Sequence, residues 1–167
     1  TPMKDLIFEM CGGMKPGRTL KAVIPGGSSV PIMTAAETED CLLDYEGVVA
    51  RGSMLGSAGM IVMDDSTDMV YQIWRLARFY AHESCAQCTQ CREGTAWTTK
   101  ILERILAGKG KASDLDLLLS LSENMTGKTI CVLSDSCAAP IVSGIAKFRS
   151  EFDAYLSGAR QPALAMA

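Results

Sequence analysis

The stretch that decides the organisation of this chain is Cys85-Ala86-Gln87-Cys88-Thr89-Gln90-Cys91, in which cysteines recur at every third position. A gap of two residues lets a tight loop turn neighbouring thiolates toward one inorganic centre. A cubane cluster of four irons needs four external thiolates, and three at this spacing fit three of its corners. The motif therefore predicts a [4Fe–4S] cluster whose fourth ligand comes from elsewhere in the chain.

Two distant cysteines compete for the fourth position. Two-cluster ferredoxins place another Cys, followed by Pro, just after the triplet, whereas Arg92-Glu93-Gly94 follows it here. We therefore expect one cluster and one remote ligand. Cys131 lies between Ile130 and the apolar pair Val132-Leu133, and Cys137 lies six residues further on. The spacing alone leaves both possible.

Other kinds of site fit part of the motif. Structural zinc also takes four thiolates, but zinc sites more often pair two Cys-x-x-Cys hairpins. This chain has one cysteine-rich loop. The alternatives to a cluster are thus a zinc-stabilised binding module, or a module that carries no metal and serves only in interactions.

Composition excludes several classes of protein. The chain has 167 residues, 48% of them hydrophobic, 21% charged, and a net charge of -3. A mildly acidic chain does not favour nucleic-acid binding, and no apolar run approaches the roughly 20 residues that cross a bilayer, so we expect no direct membrane insertion. Seven cysteines, an odd number, indicate a reducing, intracellular compartment. We expect Cys11 and Cys41 to be buried thiols.

Hydrophobic periodicity predicts two parts and a tail. Residues 1–63 form a mixed unit with a helix after a Thr1-Pro2 cap and strands at Leu20–Ile24 and 59–63; a start at such a cap suggests a piece of a longer chain. Residues 64–158 form four helices, the last starting near Pro140, and 159–167 is a frayed tail. In an up-down-up-down bundle, the loops with the triplet and with Cys131 lie at the same end.

Three runs of the sequence resemble one known family. Residues 79–95, FYAHESCAQCTQCREGT, resemble the cluster loop of the flavin-containing NADH-binding subunit of respiratory complex I, and 127–131, GKTIC, its fourth-ligand segment. Residues 22–29, AVIPGGSS, are similar to the end of its ubiquitin-like domain. The resemblance implies an α+β fold: a partial β-grasp unit of the SLBB type, followed by a four-helix bundle that holds an iron–sulfur cluster.

The same resemblance implies a ligand set and a role. The ligands would be Cys85, Cys88, Cys91 and Cys131. The family passes a hydride from NADH to FMN, then single electrons to the [4Fe–4S] cluster and onward to quinone. The FMN- and NADH-binding loops do not occur in this chain, so it would hold the cluster step alone and would not be catalytic by itself. Diaphorase subunits of NAD-linked hydrogenases and formate dehydrogenases share the module.

Partners and location follow from the family. The implied partners are a thioredoxin-like [2Fe–2S] subunit and a multi-cluster iron–sulfur subunit. The implied place is cytoplasmic, peripheral on the inner face of the energy-transducing membrane, or the matrix side in a mitochondrion. Ala86 and Gln90 depart from the Gly and Pro usual in the family loop, and Cys137 is a spare thiol near the site. These departures bear on loop geometry and reduction potential, while every ligand is kept.

Overall fold

The computed structural model describes residues 1–164 and divides into two compact units, Thr1–Thr67 and a second that begins at Asp68. The first contains helices and a small sheet, and the described part of the second is helical. The α+β class predicted from the sequence is therefore confirmed.

The first unit builds its sheet from three short strands. These are β1 Leu20–Ile24, β2 Met33–Thr34 and β3 Ile61–Asp64. Its helices are α1 Met3–Asp5, extended by a π-helical turn over Leu6–Met10, then α2 Ala35–Thr38 and α3 Tyr45–Ala50.

Strand β1 lies in the centre of the sheet and pairs antiparallel with both neighbours. Val23 faces Met33 on β2 and Val62 on β3. The buried face packs on a small core that consists of Met3, Ile7, Val23, Met33, Cys41 and Val48. Cys41 is buried as expected, whereas Cys11 is exposed, because it follows the π-helical turn at the surface. The expectation for Cys11 was therefore wrong.

The glycine pair after β1 makes a tight turn. A Cβ on Gly26 would lie 2.5 Å from the carbonyl oxygens of Met54 and Leu55, a distance no side chain tolerates. The N–H of Gly27 donates to the carbonyl of Gly59 at 2.8 Å. The close backbone approach explains glycine at residue 26, and a φ of +84° explains glycine at residue 27.

The second unit contains four longer helices and one short one within the described residues. They are α4 Met69–Glu83, α5 Thr89–Leu106, α6 Ser113–Met125, α7 Leu133–Lys147 and α8 Arg149–Leu156. Predicted apolar stripes become the buried faces, for example Val70, Ile73, Ala77 and Tyr80 on α4.

The start of the last long helix differs from the prediction. We expected it near Pro140, but α7 begins at Leu133 and contains Pro140 in its interior, then ends before Phe148, where α8 takes over. Proline is favoured in the first helical turn and costs a hydrogen bond further in. Here the buried residues Ser134, Cys137 and Ala138 already pack as helix, and this packing outweighs that loss.

Asp68 joins the beginning of α4 to α8 and to Arg160. Its carboxylate caps α4 by accepting the N–H of Tyr71 at 3.0 Å, and it also accepts the hydroxyl of Tyr155 on α8. Burial, which has the larger effect, and this hydrogen bond to Asp68 together raise the pKa of Tyr155 well above its usual range. Arg160 completes the cluster at 3.2 Å from Asp68.

The predicted tail, 159–167, lies partly outside the described residues. Within the described part, the N–H of Ala163 donates to the carbonyl of Leu106 at the end of α5, at 2.8 Å. Residues 165–167 are not among those described.

Helices α5 and α6 approach closely at Gly94. A Cβ there would lie 2.5 Å from the sulfur of Met125, the last residue of α6. Glycine inside a helix costs about 1 kcal/mol relative to alanine, so this position trades helix propensity for close packing. The contact fixes the end of α6 and thus the start of the loop that carries Cys131.

No helix among residues 1–164 has both the length and the hydrophobicity needed to span a bilayer.

An ion pair between α5 and α6 stabilises the second unit. The Nε of Arg104 donates to Asp114 at 3.1 Å, and the N–H of Lys111 donates to the same carboxylate at 2.9 Å. Burial alone would raise the pKa of Asp114, but the hydrogen bonds and the nearby positive charge outweigh it and hold the pKa below its usual value. A lowered pKa in the folded state means that this stability is present above the unfolded pKa and is lost as the pH falls through the folded pKa.

We expect Asp114→Asn to destabilise the chain by about 1.5–3 kcal/mol at pH 7, because hydrogen bonds to a charged group are lost. The variant should also lose less stability than the wild type between about pH 5 and pH 2, since its side chain does not titrate. Urea unfolding followed by circular dichroism at several pH values measures both effects. Asp116→Asn, an exposed change in the same helical turn, is the matched control. Equal acid sensitivity of the Asp114 variant and the wild type would contradict the assignment.

Candidate metal centre

The cysteine triplet spans the junction between α4 and α5. Cys85 lies in the loop and is exposed, Cys88 is the half-buried N-cap of α5, and Cys91 is buried in its first turn. The three thiols thus lead from the surface into the helical unit.

A second loop, between α6 and α7, reaches the first one. It carries Cys131, which is exposed, one residue before the N-cap of α7. The backbone N–H of Ile130 donates to the Sγ of Cys88 at 3.4 Å, across 42 residues of sequence. The structure therefore brings the residue next to Cys131 into contact with the triplet.

Hydroxyl groups fix the shape of the second loop. Ser134 is fully buried, and its Oγ lies 2.6 Å from the hydroxyl of Thr129 and 3.2 Å from the carbonyl of Met125. Thr129 in turn donates to the carbonyl of Cys131 at 2.8 Å. The sequence analysis did not predict these hydrogen bonds. The pattern that could have indicated them is a Thr and a Ser five residues apart, one on each side of the start of α7.

Two side chains fix the shape of the first loop. The Nη1 of Arg92 donates to the carbonyl of Ala86 at 2.9 Å, while its Nε pairs with Glu93 at 2.8 Å. The Oγ of Ser84 accepts the N–H of Ala86 at 3.3 Å. Ala86 itself has φ +62°, the left-handed region that glycine adopts most easily.

The buried end of the triplet has its own surroundings. The Oγ of Ser84 lies 3.3 Å from the Sγ of Cys91. Cys137 on α7 is completely buried, and burial, with a smaller contribution from Cys91, raises its pKa to about 12. Since the thiolate is the form that binds metal, Cys137 is a packed, protonated thiol in this arrangement.

The electrostatics of the two loops favour negative charge. Cys88 and Cys91 lie at the start of α5, and Cys131 lies just before α7. Helix N-termini carry partial positive charge and unpaired N–H groups, which stabilise thiolates. The guanidinium of Arg92 lies beside the triplet, where Glu93 is its ion-pair partner.

The cysteines that could bind a metal lie in two loops, three in the first and Cys131 in the second. Four thiolates around one zinc, with Zn–S bonds of about 2.3 Å, must converge to about 3.8 Å from each other. In the described part of the chain, no three His, Cys, Asp or Glu side chains come together closely enough to hold one ion. A cubane would take one thiolate on each of its four irons. His82 is 83% exposed and bonds to Glu83.

Apolar side chains around Cys131 face solvent. Ile130 is 85% and Val132 73% exposed. Trp97, a large apolar side chain on α5, is also half-exposed. In this chain by itself the outer side of the site is therefore open.

The fold and the site together define an α+β protein whose helical unit brings the loop that carries Cys131 into contact with a Cys-x-x-Cys-x-x-Cys loop. The profile described as the NADH-ubiquinone oxidoreductase-F iron-sulfur binding region matches residues 71–155, and the chain belongs to this family. The resemblance inferred from the cysteine motif is thereby confirmed, as is the assignment to a complex I subunit.

Relatives of known name cover almost the whole chain. The F 1 subunit of NADH-quinone oxidoreductase in Rhizobium meliloti (strain 1021) is 47% identical over 91% of this chain and 35% of its own length. The F-type counterpart in Streptomyces coelicolor is 48% identical over 91% of this chain and 34% of its own length. The chain thus spans about a third of the length of these curated relatives.

Solved structures share the fold. The crystal structure of an NAD+-reducing [NiFe]-hydrogenase in the H2-reduced state superimposes with a TM-score of 0.78 and 31% sequence identity. The match covers 90% of this chain and 25% of the hydrogenase chain.

We expect Ala86→Gly to stabilise the chain by about 0.5–1 kcal/mol, because glycine adopts a positive φ without steric cost. Urea unfolding of the purified chain under reducing conditions measures the change. Ala81→Gly, inside α4, is the control and should destabilise by about 1 kcal/mol. A loss of stability in the Ala86 variant would show that this backbone conformation is not the one that the loop adopts.

Proposed function

We propose that Cys85, Cys88, Cys91 and Cys131 hold one [4Fe–4S] cluster, and that the chain passes single electrons as part of an NADH dehydrogenase. The observation that carries the proposal is the hydrogen bond from the N–H of Ile130 to the Sγ of Cys88. It links the two loops that supply the ligands. The family match over residues 71–155 supports the type of cluster.

Cys131 is a better fourth ligand than Cys137. Cys131 is exposed and follows the residue that contacts Cys88, whereas Cys137 is fully buried inside α7. Cys137 lies within α7, outside the loop that contacts Cys88.

The chain's own residues would hold the group and adjust its electrostatics. When bound, a [4Fe–4S] cluster accepts and releases one electron at a time. Four thiolates anchor it, the N–H of Ile130 donates to one ligand sulfur, and the N-termini of α5 and α7 offset negative charge. These groups move no protons, so the chain needs no acid–base residue.

The wider reaction belongs to the full-length relatives. We infer that FMN and NADH bind in a part of the parent subunit that this chain does not include. By the family resemblance, its partners would be a thioredoxin-like [2Fe–2S] subunit and a multi-cluster iron–sulfur subunit. The assembly would lie on the cytoplasmic, or matrix, face of an energy-transducing membrane and pass electrons toward quinone. The exposed Ile130 and Val132 support an assembly in which another surface covers the site.

The finer description of the fold is also a proposal. We interpret the sheet of the first unit as part of a β-grasp fold of the SLBB type. Helices α4 to α7 would form the four-helix bundle, with α8 as an extension of the last helix beyond Phe148.

The test is anaerobic reconstitution with iron and sulfide, followed by elemental analysis and electron paramagnetic resonance of the reduced chain. We expect about four irons and four sulfides per chain. Replacing Cys85, Cys88, Cys91 or Cys131 by Ala should abolish the four-iron signal or leave a three-iron form. Cys41→Ala, in the core of the first unit, is the control and should keep it.

Three results would contradict the proposal. One zinc per chain without sulfide would indicate a zinc module, and a folded chain that binds neither metal would indicate an interaction module. A normal signal in Cys131→Ala, together with a lost signal in Cys137→Ala, would overturn the choice of the fourth ligand.

A further inference from the structure

The hydroxyl of Ser84 lies between the first loop and the most buried ligand. Ser84 is the C-cap of α4, and its extended backbone, with φ −62° and ψ 124°, leads the chain out of the helix. Its Oγ lies 3.3 Å from the Sγ of Cys91 and accepts the N–H of Ala86 at the same distance of 3.3 Å. One oxygen therefore contacts both the loop backbone and a ligand sulfur.

We propose that Ser84 is a positioning residue that donates a hydrogen bond to the Sγ of Cys91 and raises the reduction potential of the site. The proposal rests on the proposed function, because it requires Cys91 to be a cluster ligand. The proposal adds Ser84, which is not one of the four ligands, as a residue that sets the reduction potential of the site.

The direction of the hydrogen bond follows from the chemistry of its two partners. A ligating cysteine is a thiolate and has no hydrogen to donate. The oxygen of Ser84 already accepts from Ala86, and its single hydrogen is free to be donated. Ser84 must then be the donor and Cys91 the acceptor.

The surroundings make this hydrogen bond effective. Cys91 is 7% exposed and Ser84 is half-buried, so water screens the bond weakly. Reduction of a bound cluster would add one electron and no proton, and the ligand sulfurs would share the added negative charge. A donated hydrogen bond is stronger to the more negative sulfur, so it stabilises the reduced state and raises the potential.

The electron donor is a different molecule in the parent protein and in the experiment. In the parent protein it would come from a reduced flavin, as the family resemblance implies. In the experiment it comes from dithionite through redox mediators, which give one electron per site.

The test compares side chains of equal shape. Ser84→Thr keeps the hydroxyl, while Ser84→Val has nearly the same volume as Thr and lacks it; both β-branched residues suit the extended backbone at this position. Ser136→Ala removes a hydroxyl that donates to the carbonyl of Val132, not to a sulfur, and serves as the control. Each variant of the full chain is reconstituted, its iron is counted, and its midpoint potential is titrated by electron paramagnetic resonance.

We expect Ser84→Val to lower the one-electron reduction equilibrium constant by about three- to tenfold, which corresponds to about 30–60 mV at 59 mV per tenfold change. Ser84→Thr and Ser136→Ala should keep the wild-type potential. A purely structural role would change the iron content or the stability, but not the potential of fully loaded protein.

Each alternative result decides the question. An unchanged potential in Ser84→Val with full iron would overturn the proposal for Ser84 and leave the proposed function intact. Loss of iron in Ser84→Val alone would make the hydroxyl a requirement for assembly, which also overturns its role in setting the potential. A wild-type chain that takes up no cluster would overturn the proposed function, and this proposal with it.

Discussion

The site depends on the meeting of two loops that are far apart in sequence. Cys88 and Ile130 are 42 residues apart, yet the N–H of Ile130 reaches the sulfur of Cys88. Helices α5 and α6 supply the intervening chain, and they run out from the triplet and back. Their close approach at Gly94, against Met125, sets where the returning helix ends and the second loop begins. A shift of α6 along α5 would move Cys131 with it, so the packing of Met125 on Gly94, next to the two loops, constrains where Cys131 lies.

Charge is the second constraint on this arrangement. Four thiolates brought together repel one another, and the chain as a whole is acidic. Several groups near the two loops could offset such charge: the N-termini of α5 and α7, the N–H of Ile130 that donates to the Sγ of Cys88, and the hydroxyl of Ser84 at 3.3 Å from the Sγ of Cys91. Most of these groups belong to the backbone, which makes them insensitive to side-chain substitution. The hydroxyl of Ser84 is an exception that touches a ligand sulfur, and it is therefore a natural point at which the potential of the site can be varied.

The sequence predicted the helical unit and the ligand loops better than it predicted the rest. Regular cysteine spacing and apolar stripes at helical period are strong local signals, and they located α4, α5 and the triplet. The start of α7 was misplaced because Pro140 was interpreted as a helix start, whereas tertiary packing of Ser134 and Cys137 extends the helix upstream. In the first unit, the capping box of Thr34 and Glu37 was a readable signal for α2 that was overlooked. Strand β2, with two residues, is too short to give a periodic signal at all.

The four cysteines differ in burial, so this chain alone shields only part of the site. Cys91, with Ser84 and the packed thiol of Cys137 nearby, faces the interior that this chain supplies. Cys85 and Cys131 lie at the surface, and the neighbours of Cys131 in sequence, Ile130 and Val132, are exposed. Burial and hydrogen bonding both tune an iron–sulfur centre, so the inner half of its environment is set here. The outer half would be set by whatever surface covers Ile130 and Val132. Covering the site would remove water from it, and this would change the stability of the more highly charged redox state most. The reduction potential of the chain alone should therefore differ from that of the same chain in its assembly.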